Sequence, residues 1–428
     1  MSNQYRAEAS IQKLVAAIDE MVCLQLSTII QHSAFKALES LWRGLSNLVQ
    51  RNQNPASTLI KVMDMSWEEV ADDLNLSNRF QSSLLYRLIN QQELNTLGGH
   101  PFGLLVFDHY VSFTQTRFSV HDEIYTLQLL SELGQETLCP ILMSAAPDFL
   151  FTDDLEVWSN PERISRILAS EDFNDWRRLR TLSSSRFLGL TLPQILVRPP
   201  WQACYSGIRF DEVPTVMPDS HYLWGSSAFA LAGNIICEFN RIHWFGFLRV
   251  AEKGGALVSN PSELLLAARV RVTDRLGEFF SEQGFIPLET CYLNHNLAFF
   301  NNRSIYNPPA GRDDLKIISM LQTTLIGCRF GHYLKLLIRE NIGSYDSAET
   351  CERQLNIWLQ EYTSDVDQGS DEVLASYPLR KSRARIRGNK AFGIYQCEVE
   401  LQPQYQFDFI KTSLILKTDS SEIKSIDQ

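Results

Sequence analysis

Three features predict an α/β protein with mixed, largely parallel sheets flanked by helices, an N-terminal helical segment and a C-terminal antiparallel β meander. Between 102 and 144 an apolar run, an amphipathic helix and a second apolar run follow one another. That order is the mark of parallel strands joined by a helical crossover. Before it, apolar residues recur every three or four positions; after 377 they alternate by twos. These shifts divide the 428 residues into a helical segment over 1–97, an α/β core over 98–376 with room for two subdomains, and a meander and tail over 377–428.

The helical stripe runs through Ile11, Leu14, Val15, Ile18, Met21, Val22 and Leu26 and continues in Phe35, Leu38, Leu41, Trp42 and Leu45. It predicts helix over 6–50, broken by Asn54-Pro55. Leu59–Met63 reads as a strand. Ser66 caps the next helix, with Glu69 completing a capping box. A further helix is expected over Phe80–Ile89. The turn Gly98–Pro101 feeds a buried strand at Phe102–Phe107, helix 121–133 and a strand at Pro140–Ser144. Helices at 161–169 and 171–180 lead to two apolar runs, Phe187–Leu192 and Ile195–Val197. Pro193 separates them, because proline cannot donate to a central ladder.

Leu223–Ile242 reads as one long helix and Trp244–Val250 as a strand. Strand 267–272, helix 273–283 and strand 284–289 repeat the α/β theme. Asp313–Ile342 reads as a long amphipathic helix stopping before Gly343, and a second helix covers 347–362. The acidic, polar Thr363–Ser376 reads as a linker. Beyond it, Arg383–Arg387, Gly393–Leu401 and Gln406–Leu416 are expected strands, joined by turns at Gly388-Asn389-Lys390 and Gln402-Pro403-Gln404. The final ten residues read as a loose tail.

Composition narrows the function. Hydrophobic content of 44% and charged content of 21% are those of a globular chain. A net charge of −11 argues against general nucleic-acid binding, which needs a basic face. A local basic patch remains at Lys381, Arg383, Arg385 and Arg387, which fall within seven residues. No apolar run approaches the roughly 20 residues of a spanning helix, and the first ten residues lack the apolar character of a secretory signal. The eight cysteines form no C-x-x-C pair and read as reduced, mostly buried thiols of a cytoplasmic protein.

Candidate chemistry is sparse, and no catalytic, cofactor-binding or metal-binding residue is assigned. Gly98-Gly99 precedes a strand, the wrong order for a phosphate loop. Lys253-Gly254-Gly255 lacks the remainder of such a motif. The eight histidines show no metal-ligand spacing; His100 and His109 sit nine residues apart, and His221 and His243 flank a helix. Ser183–Ser185 lacks a nucleophile elbow. Asp108 follows a predicted strand, where α/β enzymes place acids, but a sheet-end Asp more often caps a turn or pairs with arginine. Trp42-Arg43-Gly44 and Trp224-Gly225 read as packing anchors. The meander supports two readings: strands paired within their own domain, or a strand added to a neighbour's sheet. Val399, Leu401, Tyr405, Phe407, Phe409 and Leu414 are the candidate interface residues of such a strand.

Several strings resemble, in one collinear order, the large subunit of the type VI secretion contractile sheath (the TssC, VipB or EvpB family). The most distinctive is Ser185–Pro199, which is similar to the family segment SRxxGLTLPxxLxRxP. The others are Phe35–Leu45, Gly98–Gly103, Trp176 with Arg180, Tyr222–Gly225 with Ala228–Ala232, Thr273–Arg275, Gly284–Leu288, Arg329–Lys335, Tyr377–Arg380 and Leu401–Tyr405. They span nearly the whole chain.

The resemblance implies a non-enzymatic structural subunit with no cofactor. It implies a heterodimer with the small sheath subunit, helical stacking on neighbouring sheath subunits around an inner tube protein, and docking on a baseplate. It also implies contraction that propels the tube, and later disassembly by an AAA+ ATPase. Family subunits are linked by strand exchange among their termini, which favours the second reading of the meander. Members carry several tens of residues before the helix leading to Trp42, including a linking strand; here that helix starts almost at Met1. The alternative expectation is therefore a short paralogue that caps, nucleates or joins the baseplate. An α/β enzyme built on Phe102–Asp108 is the reading that competes with both.

Overall fold

The computed structural model describes residues 2–77, 79–113, 121–152, 154–205, 208–212, 222–246, 248, 257, 267–291, 296–309, 311–341, 348–364, 376–389, 394–403 and 414–419. The expected turn at Lys253, the linker core 365–375 and Gln406–Ser413 lie outside these residues, as does the tail from 420.

Two helices, α1 (Ser2–Ile30) and α2 (Ser33–Arg51), form the N-terminal segment. The stripe predicted one helix. It breaks because His32 caps α2, its Nδ1 accepting the Ala34 N–H at 3.3 Å. Leu59–Met63 is irregular and pairs with no strand among the described residues. The capping box at Ser66 holds, with Ser66 and Glu69 satisfying each other's N–H at the start of α3 (Trp67–Leu76). The single helix expected over 80–89 is instead a 3₁₀ turn, one α turn, α4 (Leu84–Tyr86), and a wide π segment, Arg87–Leu94. The Asp73 carboxylate takes the Leu84 and Leu85 N–H groups at 2.8 and 2.9 Å, which restarts the helix at that point.

The central sheet is parallel, in the order β1 (Leu105–Val111), β2 (Ile141–Ala145), β3 (Leu188–Leu192), β8 (Ile286–Pro287). The crossover α5 (Glu123–Thr137) joins β1 to β2, as the apolar runs predicted. β1 starts later than expected, because pairing begins where the Leu105 N–H meets the Pro140 carbonyl. Helices α6 (Pro161–Leu168) and α7 (Asn174–Thr181) precede β3. Pro193 ends β3, and β4 (Ile195–Arg198) departs in a different sheet. A hairpin follows, β5 (Gln202–Tyr205) and β6 (Ile208–Asp211).

The expected long helix 223–242 is split. Leu223–Gly225 forms β7 against β4, and Ser226 then caps α8 (Ser227–Ile242). The strand predicted at Trp244 is irregular over 244–246, and 247, 249 and 250 lie outside the described residues. Its apolar character reflects burial, since Trp244 stacks on Phe330 at 4.8 Å. Strand 267–272 reduces to one bridge, Ile195 to Ala268. Beyond α9 (Asp274–Glu282) and β8 lie the short strands β9 (Glu289–Thr290) and β10 (Leu297–Ala298). The long helix expected from Asp313 is also broken, into α10 (Asp313–Ile318) and α11 (Leu321–Asn341). Ser304 donates its N–H and hydroxyl to the Ser319 carbonyl at 2.8 and 2.7 Å, and the Leu321 N–H goes to Asn302. Those bonds occupy groups that a continuous helix would use. After α12 (Ala348–Gln360) comes an antiparallel sheet of β11 (Leu379–Asn389), β12 (Ile394–Pro403) and β13 (Leu414–Asp419).

Two cores flank the parallel sheet. One gathers Leu130, Leu133, Ile141, Leu190 and the ring cluster Phe149, Phe173, Trp176 and Phe285. The other gathers Leu142, the small-residue face of α8, Phe330, Leu355 and Leu359, and continues into Leu379, Val399 and Leu401. The C-terminal sheet therefore shares a core with the body.

Arg180 joins α7 to the turn after α9. Its guanidinium is buried, which pulls its pKa down to about 10. It donates to the Ile305 and Glu282 carbonyls at 3.1 and 2.6 Å. Gly284 lies against it with φ of 90°, and a Cβ there would sit 2.9 Å from Arg180 Nε. Gly284→Ala combines strain with collision and is expected to cost about 1–3 kcal/mol, read as a lower denaturation midpoint with unchanged slope.

Candidate assembly surfaces

The apolar stripe of the N-terminal helices faces outward. Ile11, Leu14, Val15, Ile18, Met21, Leu24 and Ile29 on α1 are exposed, as are Phe35, Leu38, Trp42 and Val49 on α2. Trp42, expected to be a packing anchor, is 63% exposed. Its neighbour Gly44 is the true anchor point: a Cβ there would lie 2.9 Å from the Phe229 ring, so α2 can approach α8 only through glycine. A continuous apolar face of this length marks an interaction site, since monomers rarely leave one uncovered.

The elbow between α1 and α2 is held by charge. Arg198, at the end of β4, bonds both oxygens of Glu39 at 2.5 and 2.9 Å and both of Glu212 at 2.6 and 3.2 Å. Gln31, between the two helices, donates to Glu212 at 2.8 Å, and Arg43 donates to Glu39 at 2.9 Å. Burial alone would raise the Glu39 pKa, but the hydrogen bonds from Arg198 and Arg43 outweigh it and hold the carboxyl below the ordinary range. Both guanidinium groups also lie over the Trp201 ring, at 5.6 and 5.2 Å.

The C-terminal sheet presents two faces. Val399 and Leu401 point into this chain's own second core. Leu414 pairs with Leu401 across β12 and β13, while Tyr405, Phe407 and Phe409 lie outside the described residues. On the other face Lys381, Arg383 and Arg385 are exposed along β11, with exposed Glu400 opposite Arg383.

The positions weighed for chemistry are dispersed. Asp108 is not at a strand end; it lies inside β1, exposed. His109 is stacked on Trp67 at 3.8 Å and bonded to Glu123 at 2.6 Å. His243 ends α8 in a left-handed conformation, and His221 lies outside the described residues. Ser183–Ser185 forms a 3₁₀ turn, and the Ser184 hydroxyl is spent on Ser131. Among the described residues no three His, Cys, Asp or Glu side chains cluster as metal ligands. A pocket at the ends of β2 and β3 is lined by Ala145, Trp158, Leu192, Pro193, Arg269 and Phe280, and among the described residues its lining has no carboxylate, histidine or nucleophile. Among the described residues no single helix is long and apolar enough to cross a membrane; α1 and α2 together reach that composition only as a pair bent by 71°.

Residues 12–306 match the family model of the EvpB/VC_A0108 tail sheath N-terminal domain. Residues 310–420 match that of the EvpB/VC_A0108 tail sheath gpW/gp25-like domain. The type VI secretion system sheath protein TssC1 of Pseudomonas aeruginosa (strain PAO1) is 27% identical over 431 residues, covering 95% of this chain and 85% of that protein. With its length matched in order by both sheath domains, the chain belongs to the EvpB/VC_A0108 tail sheath family, that of the type VI secretion sheath large subunit.

Proposed function

We propose that this structural sheath subunit pairs with a small sheath subunit through the exposed face of α1 and α2. The observation that carries the reading is an apolar stripe, Ile11 to Val49, on helices fixed to the body by a buried ion network yet open to solvent. Its spacing suits a partner helix laid along α1. The heterodimer then stacks on neighbouring sheath subunits around an inner tube protein, docks on the baseplate, and is disassembled by an AAA+ ATPase in the cytoplasm. Contraction draws on interfaces better buried in the short state, with no catalysis by this chain. In this reading 1–97 is the pairing segment, 98–376 the rigid block, and 377–428 the linking sheet, in which Tyr405, Phe407, Phe409 and Leu414 are the candidates for subunit contact, Val399 and Leu401 being packed in this chain's own core.

Co-expression with the small subunit and electron microscopy test this. Long hollow tubes are expected; a closed ring or lone heterodimer would indicate a capping or nucleating role instead. Leu14→Glu with Ile18→Glu should leave the stability of the chain itself within about 0.5 kcal/mol, because both side chains are exposed. The same pair should abolish co-purification. Undiminished co-purification would remove α1 from the interface.

A further inference from the structure

Two arginines of this chain spend their guanidinium groups fully: Arg180 on two carbonyls and Arg198 on two carboxylates. Arg329 does not. It leaves α11 beside the end of α8, and its Cζ lies 4.4 Å from the Phe239 ring centre, 5.1 Å from that of Trp244 and 5.0 Å from that of Tyr333. Trp244 is itself fixed, stacked on Phe330 and edge-on to Tyr362 at 5.6 Å. Among the described residues Arg329 makes one side-chain hydrogen bond, from Nη2 to the Tyr333 hydroxyl at 2.7 Å. Nε is buried with no acceptor. Nη1 also lacks one among the described residues, in a side chain that is half-buried. The chain has 50 acidic residues, yet no described carboxylate pairs with this cation.

Rings attract a guanidinium through their faces, whereas its N–H donors lie in its own plane and point past the rings. The cage therefore holds the charge without spending the donors. Packing alone does not call for a charge here. Burial lowers the Arg329 pKa, and only Tyr333 and Tyr362 act the other way. In such a site an apolar side chain of similar volume packs without loss. A cation kept there with unspent donors suits an acceptor that arrives from outside. A carboxylate, planar and with two acceptor oxygens, matches the guanidinium fork. Tyr333 adds a donor: its oxygen accepts from Nη2, so its own O–H, without an acceptor among the described residues, is left to donate beside the fork.

We propose that Arg329, in its cage of Phe239, Trp244 and Tyr333, is the receptor for a carboxylate. An aspartate or glutamate of a neighbouring sheath subunit, or a free small carboxylate, supplies it. The first source rests on the sheath-assembly reading and the second does not.

Two measurements on the full chain test this, for wild type, Arg329→Met and Tyr333→Phe: the denaturation midpoint with and without glutarate at matched ionic strength, and assembly with the small subunit. Without ligand, Arg329→Met should match or exceed the wild-type midpoint, because the cage stays filled and an unpaired charge is gone. Tyr333→Phe keeps the ring and should fall only slightly. Where a sheath neighbour supplies the carboxylate, both variants assemble about tenfold more weakly, and glutarate moves no midpoint. Where a free carboxylate is the ligand, glutarate raises the wild-type midpoint but not that of Arg329→Met, and assembly is unchanged. Variants that assemble like wild type, with wild type itself blind to glutarate, would overturn the proposal and leave the sheath reading intact. A lowered midpoint for Arg329→Met as the sole effect would make the residue a packing post and overturn the proposal equally. Should that variant fail to fold, Tyr333→Phe decides by the same two measurements. A wild-type chain that forms neither tube nor heterodimer would sink the sheath reading, and the glutarate response would then decide the proposal.

Discussion

Arg198→Met is expected to destabilise the chain by about 3–5 kcal/mol and to loosen the N-terminal helices. The arginine is 6% exposed, and so is unable to exchange its partners for water. Removing it leaves Glu39 and Glu212 facing one another in a nearly dry site, with Gln31, Arg43 and the Trp201 N–H too few to neutralise two carboxylates. The loss is therefore larger than the net worth of the ion pairs, because it includes the desolvation of the carboxylates left behind. Chemical denaturation gives the magnitude, and proteolysis at the α1–α2 elbow gives the location. Adding Glu39→Gln and Glu212→Gln to Arg198→Met should recover much of the stability, since the stranded charge is gone. If the triple variant is no better than the single one, packing of the Arg198 stem over Trp201 carries the effect instead.

That network was not legible in the sequence. Glu39, Arg198 and Glu212 are far apart in the chain, and neither composition nor periodicity pairs a carboxylate with one arginine among 39 basic residues. The α/β class, the parallel β1–α5–β2 unit, the break at Pro193 and the Ser66 cap were legible, because each leaves a mark in consecutive residues: an apolar run, a helical period, a missing donor or a capping pair. Failures came where tertiary bonds override local pattern. Trp244 is apolar for a ring stack, not for a ladder. Ser304 cuts a helix that periodicity alone would continue through Ser319. The stripe on α1 is the instructive case. Three- and four-residue spacing correctly located an apolar face, but spacing does not tell a face buried in its own core from one awaiting a partner.

Glu289→Gln is expected to make the chain more resistant to alkaline conditions by several kcal/mol. Glu289 leaves β9 beneath α9, where a Cβ on Gly277 would lie 2.2 Å from its carboxyl carbon. Its Oε1 is buried without a partner. Burial pushes its pKa up from 4.5 to about 8; the Asn301 hydrogen bond opposes this, and repulsion from Asp274 and Glu278 adds to it. The folded chain therefore holds a proton that the unfolded chain has released, and stability falls as pH rises from about 4.5 through about 8. His332 acts in the opposite sense. Burial lowers its pKa from 6.5 to about 4, so its contribution is lost as pH falls through that window. The two slopes oppose each other below about 6.5, and only the glutamate slope remains from there to about 8. Denaturation midpoints at a series of pH values should show wild type declining across that upper interval and Glu289→Gln staying level. Coincident wild-type and variant profiles above pH 7 would mean that water or a cation already neutralises Glu289 in the folded chain.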